Sequence, residues 1–177
     1  MTETSLARLT RARAGRAAAP VAVAHLGLGS FFRAHHAAYT DQAPDADAWG
    51  VAAFAGRSAA LAERLTEQDG LYTLLVQGPD GAHPTVVSSV SRAHAGGDVA
   101  TWVDLLAQPT TGVVTLTVTE AAYHRTDDGA LDLGAVGGDL HALRAGDLTA
   151  VSSVPGRLVA GLAARRRTDA GPLSVVP

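Results

Sequence analysis

Cysteine, lysine, asparagine and isoleucine are absent from all 177 residues. Without cysteine the chain forms no disulfide, offers no thiolate nucleophile and builds no cysteine metal site. That fits a reducing compartment, and the cytoplasm is the expected location. Without lysine no side chain of its own can form a Schiff base, act as an amine base or hold a phosphate as an ammonium ion. Without asparagine no such amide can orient a substrate. The last three residue types share AT-rich codons, so a GC-rich coding sequence accounts for their joint absence. All 14 basic residues are consequently arginines. No apolar run approaches the roughly 18–20 residues that cross a bilayer, so no membrane partner is expected. A formal net charge of −3 gives no reason to expect nucleic acid as a partner. The 47% hydrophobic content suits a soluble globular domain, and the length allows one well-buried domain rather than two.

Several chemistries lack their signatures. The seven histidines show no His-Glu-x-x-His or similar ligand spacing, and His35 and His36 are adjacent, so they diverge on a helix. No metal site is expected. There is no Gly-x-Ser-x-Gly elbow and no Walker sequence, which argues against hydrolase and P-loop kinase chemistry. Residues 1–20 are rich in alanine and arginine, with Glu3 the one acid. Such a start can resemble an organelle transit peptide, but the reading adopted is an N-terminal arm leading to the first strand.

The most informative stretch follows that arm. Val21–Leu26 is a short apolar segment, Gly27 and Gly29 form a Gly-x-Gly turn, and an alanine-rich helical segment begins at once. Strand, glycine turn and helix in this order present a helix N-terminus to a dinucleotide pyrophosphate in a Rossmann domain. Gly27 would allow the tight turn and Gly29 the close approach of phosphate to backbone. Phe32 takes the place of the usual third glycine. Read on the pattern alone, the same turn also suits ordinary strand-to-helix packing.

The remaining elements suggest an α/β, Rossmann-like fold: a mostly parallel, doubly wound sheet with an inserted antiparallel strand pair. The first helix is expected over Phe31–Gln42, before Pro44. Trp49–Ala55 reads as a buried parallel strand, and Ser58 as the N-cap of a helix over Ala59–Glu67 with Leu61 and Leu65 facing the sheet. Leu71–Val76 and Thr85–Arg92 form the antiparallel pair across Pro79-Asp80-Gly81. Asp98 caps a helix over Val99–Leu106, and Val113–Thr119 is the clearest strand. Leu131–Asp147 is glycine-rich and loosely helical at best. Arg157–Arg167 is expected as a helix with Leu158 and Leu162 inward, followed by a buried strand at Leu173–Val176.

The longer string Gly27-Leu-Gly-Ser-Phe-Phe-Arg-Ala-His-His-Ala-Ala-Tyr-Thr-Asp41 resembles the N-terminal signature of the mannitol dehydrogenase family, the polyol-specific long-chain dehydrogenases. Phe31, Arg33, Ala34, His35, Tyr39 and Asp41 match, while Phe32 replaces the family's histidine. Gln68-Asp-Gly-Leu-Tyr-Thr73, Val113-Val-Thr-Leu-Thr-Val-Thr-Glu120 and Pro172-Leu-Ser-Val-Val176 continue the resemblance in the family's order. It implies oxidoreduction at a secondary alcohol of a polyol or sugar acid, of the mannitol/fructose or mannonate/fructuronate type. It also implies that residues 21–177 are the NAD(P)-binding domain, cut short before a mostly helical catalytic domain bearing a lysine. Polyol or sugar-acid substrate would then require that further domain.

The expected cofactor contacts are Gly27, Leu28, Gly29, Ser30, Phe31, Phe32 and Arg33 in the turn and helix start, with Thr119 and Glu120 beyond the strand that begins at Val113. Arg33 could pair with a phosphate or, as a structural ion pair, with Asp41. The end of the second strand carries no acid to accept the adenosine ribose hydroxyls. Arg57 and Ser58 stand there instead and could accept a 2′-phosphate, so NAD is the expected cofactor and NADP is admitted. Glu120 is a candidate accessory in proton relay, with Tyr123 and His124 behind it; no catalytic residue proper is expected in the chain. Two other readings stay open, a nucleotide-binding module without catalysis and another Rossmann enzyme such as a sugar epimerase. The missing lysine counts against an epimerase, which would use a Tyr-x-x-x-Lys pair.

Overall fold

Parallel strands covered on both faces need near-continuous apolar sequence, and the chain supplies it in short segments separated by helices. The computed structural model describes residues 8–56 and 58–177. Strand β1 spans Val21–Leu26, followed by helices α1 (Ser30–Ala34) and α2 (His36–Gln42) and a 3₁₀ turn at Ala46–Ala48. Strand β2 (Gly50–Phe54) and helix α3 (Ala60–Thr66) precede a hairpin of β3 (Tyr72–Gly78) and β4 (Gly81–Val87). Then come β5 (Val90–His94), α4 (Val99–Leu106), β6 (Val113–Leu116), a 3₁₀ turn at Glu120–Tyr123, α5 (Gly137–Ala145), α6 (Val154–Thr168) and β7 (Ser174–Val176).

Five strands form one parallel sheet in the order β5-β2-β1-β6-β7, and β3 and β4 form a separate antiparallel pair. Counting only the parallel strands, this is the 3-2-1-4-5 order of a dinucleotide-binding sheet, with its switch point between β1 and β6. The alternation along β1 explains the two layers. Ala24 and Leu26 face α4 and α6, where Phe54, Trp102, Leu106 and Ala160 complete one core. Val23 faces the other side, with Phe32, Ala37, Leu65, Tyr72 and Val87 from α1–α3 and the hairpin.

Several expectations are corrected. The first helix is broken at His35 (φ −119°, ψ −79°); the turn there lets the His36 ring reach Thr115 Oγ1 at 3.3 Å. The segment expected as one strand over Thr85–Arg92 is two, because the chain leaves the hairpin at Ser88 and Ser89 to enter the main sheet. At that crossing Asp41 accepts the Ser88 amide at 2.9 Å and Ser89 Oγ donates to the Ala37 carbonyl at 2.6 Å. The strand expected over Val113–Thr119 stops at Leu116. Ala59, not Ser58, is the N-cap of α3; Ser58 Oγ accepts the Ala60 amide at 3.3 Å from outside the helix. Leu65 is buried as expected, and Leu61 is half-buried.

The glycine-rich segment contains a nine-residue helix, α5. Tertiary bonding supplies what its propensity lacks: Asp139 accepts the amides of Ser152 and Ser153, both at 2.9 Å. The inward face of α6 is also different. Leu162 is exposed and Leu158 only half-buried, while Gly156, Ala160, Gly161 and Ala164 are buried. The helices α4 and α6 pack too closely for leucine there, since a Cβ on Gly161 would lie 3.1 Å from Leu106 Cβ. Strand β7 is paired with β6 alone, so as an edge strand it leaves Val175 and Val176 exposed rather than buried. The described part of the arm, residues 8–20, is anchored by arginines: Arg11 donates to the Ser88 and Val90 carbonyls, and Arg16 pairs with Asp41 at 2.8 Å.

Candidate functional site

Diverging connections at the switch point open a cavity of ≈ 560 Å³ at the carboxyl ends of β1, β2 and β6. Leu26 to Gly29 form its floor; Ala55 and Gly56 border one side, and Thr117 to Thr119 with Arg157 the other. The described wall carries no acid.

The two glycines of the turn serve different masters. Gly27 has φ +120°, and a Cβ there would lie 2.6 Å from Thr117 Oγ1, so the fold itself demands glycine. Its amide and that of Leu28 both donate to the Phe54 carbonyl, at 3.0 and 2.9 Å, which ties the turn to the end of β2. Gly29 has φ −108°, and its Cβ would meet only the Gly27 carbonyl oxygen, at 3.7 Å. Nothing in the described chain requires glycine at 29. No side chain caps α1, so the first amides of that helix remain for an external acceptor.

Beneath the turn lies a buried polar network. The fully buried His25 approaches Thr115 Oγ1 at 2.7 Å through Nδ1 and Thr117 Oγ1 at 3.0 Å through Nε2. Thr117 Oγ1 donates to the Gly27 carbonyl at 2.8 Å. Bonding complementarity assigns the proton of neutral His25 to Nε2, which donates to Thr117 while Nδ1 accepts from Thr115. Burial pushes the His25 imidazole down from 6.5 to about 3, and burial lowers His36 too. The network thus holds the ends of β1 and β6 together as an uncharged clamp directly under Gly27.

Other residues of the expected site lie around this cleft or apart from it. Phe32 is buried below the turn, while Phe31 is exposed. Arg33 does not pair with Asp41: it bonds to the Gly29 carbonyl and Ser30 Oγ at 3.2 and 3.3 Å, and Asp41 is taken by Arg16. The Tyr72 hydroxyl donates to the Arg33 carbonyl at 2.6 Å, and burial raises that phenol above its ordinary range. Leu28 and Thr119 line the cleft. Glu120 opens the 3₁₀ turn and belongs to a neighbouring polar cavity of ≈ 700 Å³ with His124, Arg125 and Asp132. Tyr123 packs against the α4–α6 core. Arg57 lies outside the described residues. Among the described residues, no group of three or more acids or histidines could hold a metal ion, and no helix is long and apolar enough to cross a membrane.

Sequence reasoning missed Gly56 and Arg157. Gly56 lies two residues past the end of β2, next in sequence to the expected pair Arg57 and Ser58. For Arg157 a signal existed: Ser153 and Pro155 mark a helix start three residues earlier than expected, with Ser153 Oγ accepting the Gly156 amide at 3.1 Å. That start puts Arg157 on the first turn of α6, at the carboxyl end of the sheet.

Comparison with known proteins agrees with this geometry. Residues 21–177 match the sequence family described as the mannitol dehydrogenase Rossmann domain. D-arabinitol 4-dehydrogenase of Ralstonia nicotianae is 35% identical over 99% of this chain and 36% of its own length. Polyol:NADP oxidoreductase of Gluconobacter oxydans is 36% identical over 84% of this chain and 31% of its own length. Mannitol 2-dehydrogenase of Pseudomonas fluorescens, solved as a ternary complex with NAD and D-mannitol, superposes with a TM-score of 0.77 at 29% identity, covering 89% of this chain and 33% of that one. The chain therefore spans about a third of the length of these relatives. Because the match runs from the first residue of β1 through β7, taking in every strand of the parallel sheet, the chain belongs to the mannitol dehydrogenase family and carries its Rossmann domain.

Proposed function

We propose that residues 21–177 form the cofactor-binding domain of a nicotinamide-dependent oxidoreductase acting at a secondary alcohol of a polyol or sugar acid, of the mannitol/fructose or mannonate/fructuronate type. Residues 1–20 are its arm. The observation that carries this reading is Gly29: a glycine that the described fold does not need, at the floor of a cleft on the switch point. NAD is the proposed cofactor, and NADP is admitted because Ala55 and Gly56 bring no acid to the ribose end. A related protein named for NADP and another solved with NAD support both possibilities.

When bound, the nicotinamide supplies hydride exchange with the substrate carbon. The chain's own residues do the holding. The turn at Gly27 keeps the backbone low, the start of α1 offers amides to the pyrophosphate, and Leu26, Leu28, Val118 and Val154 exclude water from the cleft. Oxidation of an alcohol also needs a base for the hydroxyl proton. The lysine-free chain leaves that task to the greater length its relatives possess, with Glu120 an accessory at most.

A second reading, a nucleotide-binding module without catalysis, is favoured by the same absence of lysine. Titration of the 177-residue chain with NADH and NADPH, paired with a mannitol oxidation assay, tests both. Binding without turnover is expected. Failure to bind either dinucleotide overturns the cofactor reading, and turnover by this chain alone overturns the assignment of the base elsewhere.

A further inference from the structure

Arg157 is the one ionisable side chain in the wall of the cleft among the described residues. Its backbone is fixed, because Trp102 Nε1 donates to its carbonyl at 3.0 Å. Its Nε is buried without a hydrogen-bond partner, and the guanidinium joins none of the ion pairs among the described residues. Asp139, the acid whose charge it feels, is already occupied by the amides and hydroxyls of Ser152 and Ser153. Burial pushes the Arg157 guanidinium below its ordinary value, opposed only in part by Asp139.

The chain treats its other inward arginines differently. Arg165 donates to the carbonyls of Leu106, Gln108, Thr111, Ala170, Gly171 and Pro172, each within 3.0 Å. Arg11 donates to three carbonyls besides that of Asp69. A partly buried cation with a vacant N–H is costly unless an anion joins it. The wall around Arg157 holds no acid that would repel one, and a low-dielectric cleft strengthens the attraction.

We propose that Arg157 is a phosphate-recognition residue of this cleft, and that a phosphate of the bound dinucleotide is the partner its guanidinium lacks. The proposal rests on the dinucleotide reading of the site. Two phosphates share this chemistry: the pyrophosphate of either cofactor, and the adenosine 2′-phosphate of NADP. The planar fork of arginine suits bidentate contact with both.

The test titrates wild type, Arg157→Gln and Arg157→Lys with NADH and NADPH by nicotinamide fluorescence, and with 2′-AMP and inorganic pyrophosphate by calorimetry. Unfolding midpoints of all three proteins are measured alongside. Arg157→Gln is expected to weaken binding by about 10- to 100-fold, the range of one charge-assisted hydrogen bond. Arg157→Lys should recover part of the loss and part of the salt dependence, which a purely structural role would not produce. A loss confined to NADPH and 2′-AMP identifies the 2′-phosphate; a loss shared with NADH and pyrophosphate identifies the pyrophosphate. If wild type binds a dinucleotide and Arg157→Gln binds it equally well, the proposal is overturned while the cofactor reading stands. If wild type binds neither dinucleotide, both fall.

Discussion

The rings of His25 and Phe32 lie face to face, with centroids 3.8 Å apart and planes 14° from parallel. Phe32 stands where the family signature has histidine, so in this chain an apolar ring seals the buried imidazole from above. The stack has a consequence for pH. His25 is neutral when folded, with its pKa held at about 3 by burial, against 6.5 ordinarily. Below about pH 6.5 the unfolded chain takes up a proton that the folded chain refuses, so stability falls as pH falls toward 3, by about 1.4 kcal/mol per unit. His36 and His94 are lowered as well and act in the same direction. Urea unfolding of wild type and His25→Gln between about pH 4 and pH 7 measures the His25 share. The variant should be less stable at neutral pH and show a flatter slope; an unchanged slope would mean that His25 is protonated in the fold.

The glycine pair should separate stability from binding. Gly27→Ala must adopt φ near +120° and meet Thr117, and is expected to cost about 2–4 kcal/mol. Gly29→Ala makes only an ordinary contact with the Gly27 carbonyl oxygen, at 3.7 Å, and should stay within about 0.5 kcal/mol of wild type, yet lose dinucleotide affinity by about tenfold or more. Thermal unfolding and NADH titration of both variants check this. Equal destabilisation by the two would assign Gly29 to the fold.

Arg165 joins the end of α4 to the segment entering β7 through six carbonyl oxygens. Arg165→Met would leave several of these buried and unpaired, at an expected cost above about 3 kcal/mol. Arg165→Lys should recover little, since an ammonium cannot reproduce the planar fork. The exposed neighbour Arg166, changed to alanine, should alter stability by less than about 0.5 kcal/mol. Denaturant midpoints of the three variants decide it.

Local pattern carried most of the fold. Val21–Leu26 and Asp98 with Val99–Leu106 were legible because strand chemistry and a cap each agree with the tertiary role. Two of the failures share one cause: distant partners overrode local preference. Gly137–Ala145 is helical because Asp139 finds Ser152 and Ser153, 13 and 14 residues away. Ser88 and Ser89 end one strand and begin another because α2 takes their polar groups. In the cleft, the glycine turn is readable as a motif, whereas the place of Arg157 depends on the start of α6 at Val154, which Ser153 and Pro155 mark only locally. A lone arginine in sequence looks the same whether it is solvated, saturated by carbonyls or left without a partner.

Asp41 offers a test of the same distinction between sequence and space. Sequence proximity suggested Arg33, eight positions earlier on the same helical segment. In the structure Asp41 Oδ1 accepts from Arg16 at 2.8 Å and from the Ser88 amide at 2.9 Å, so one carboxylate holds both the arm and the strand crossing. The Arg16 and Asp41 side chains are only 28% and 16% exposed, which protects the pair from full solvent screening. Asp41→Ala is therefore expected to cost about 2–3 kcal/mol, through a lost ion pair and an unsatisfied amide. A double-mutant cycle separates the partners. Coupling between Arg16→Ala and Asp41→Ala should be about 1 kcal/mol or more, while Arg33→Ala and Asp41→Ala should be additive within about 0.3 kcal/mol. Trypsin should also cleave at the arm arginines faster in Asp41→Ala, because the carboxylate is the nearest of the two acids that pair with Arg16. Coupling to Arg33 instead would return the aspartate to the partner its sequence position suggests and leave Arg11 as the arm's main tether.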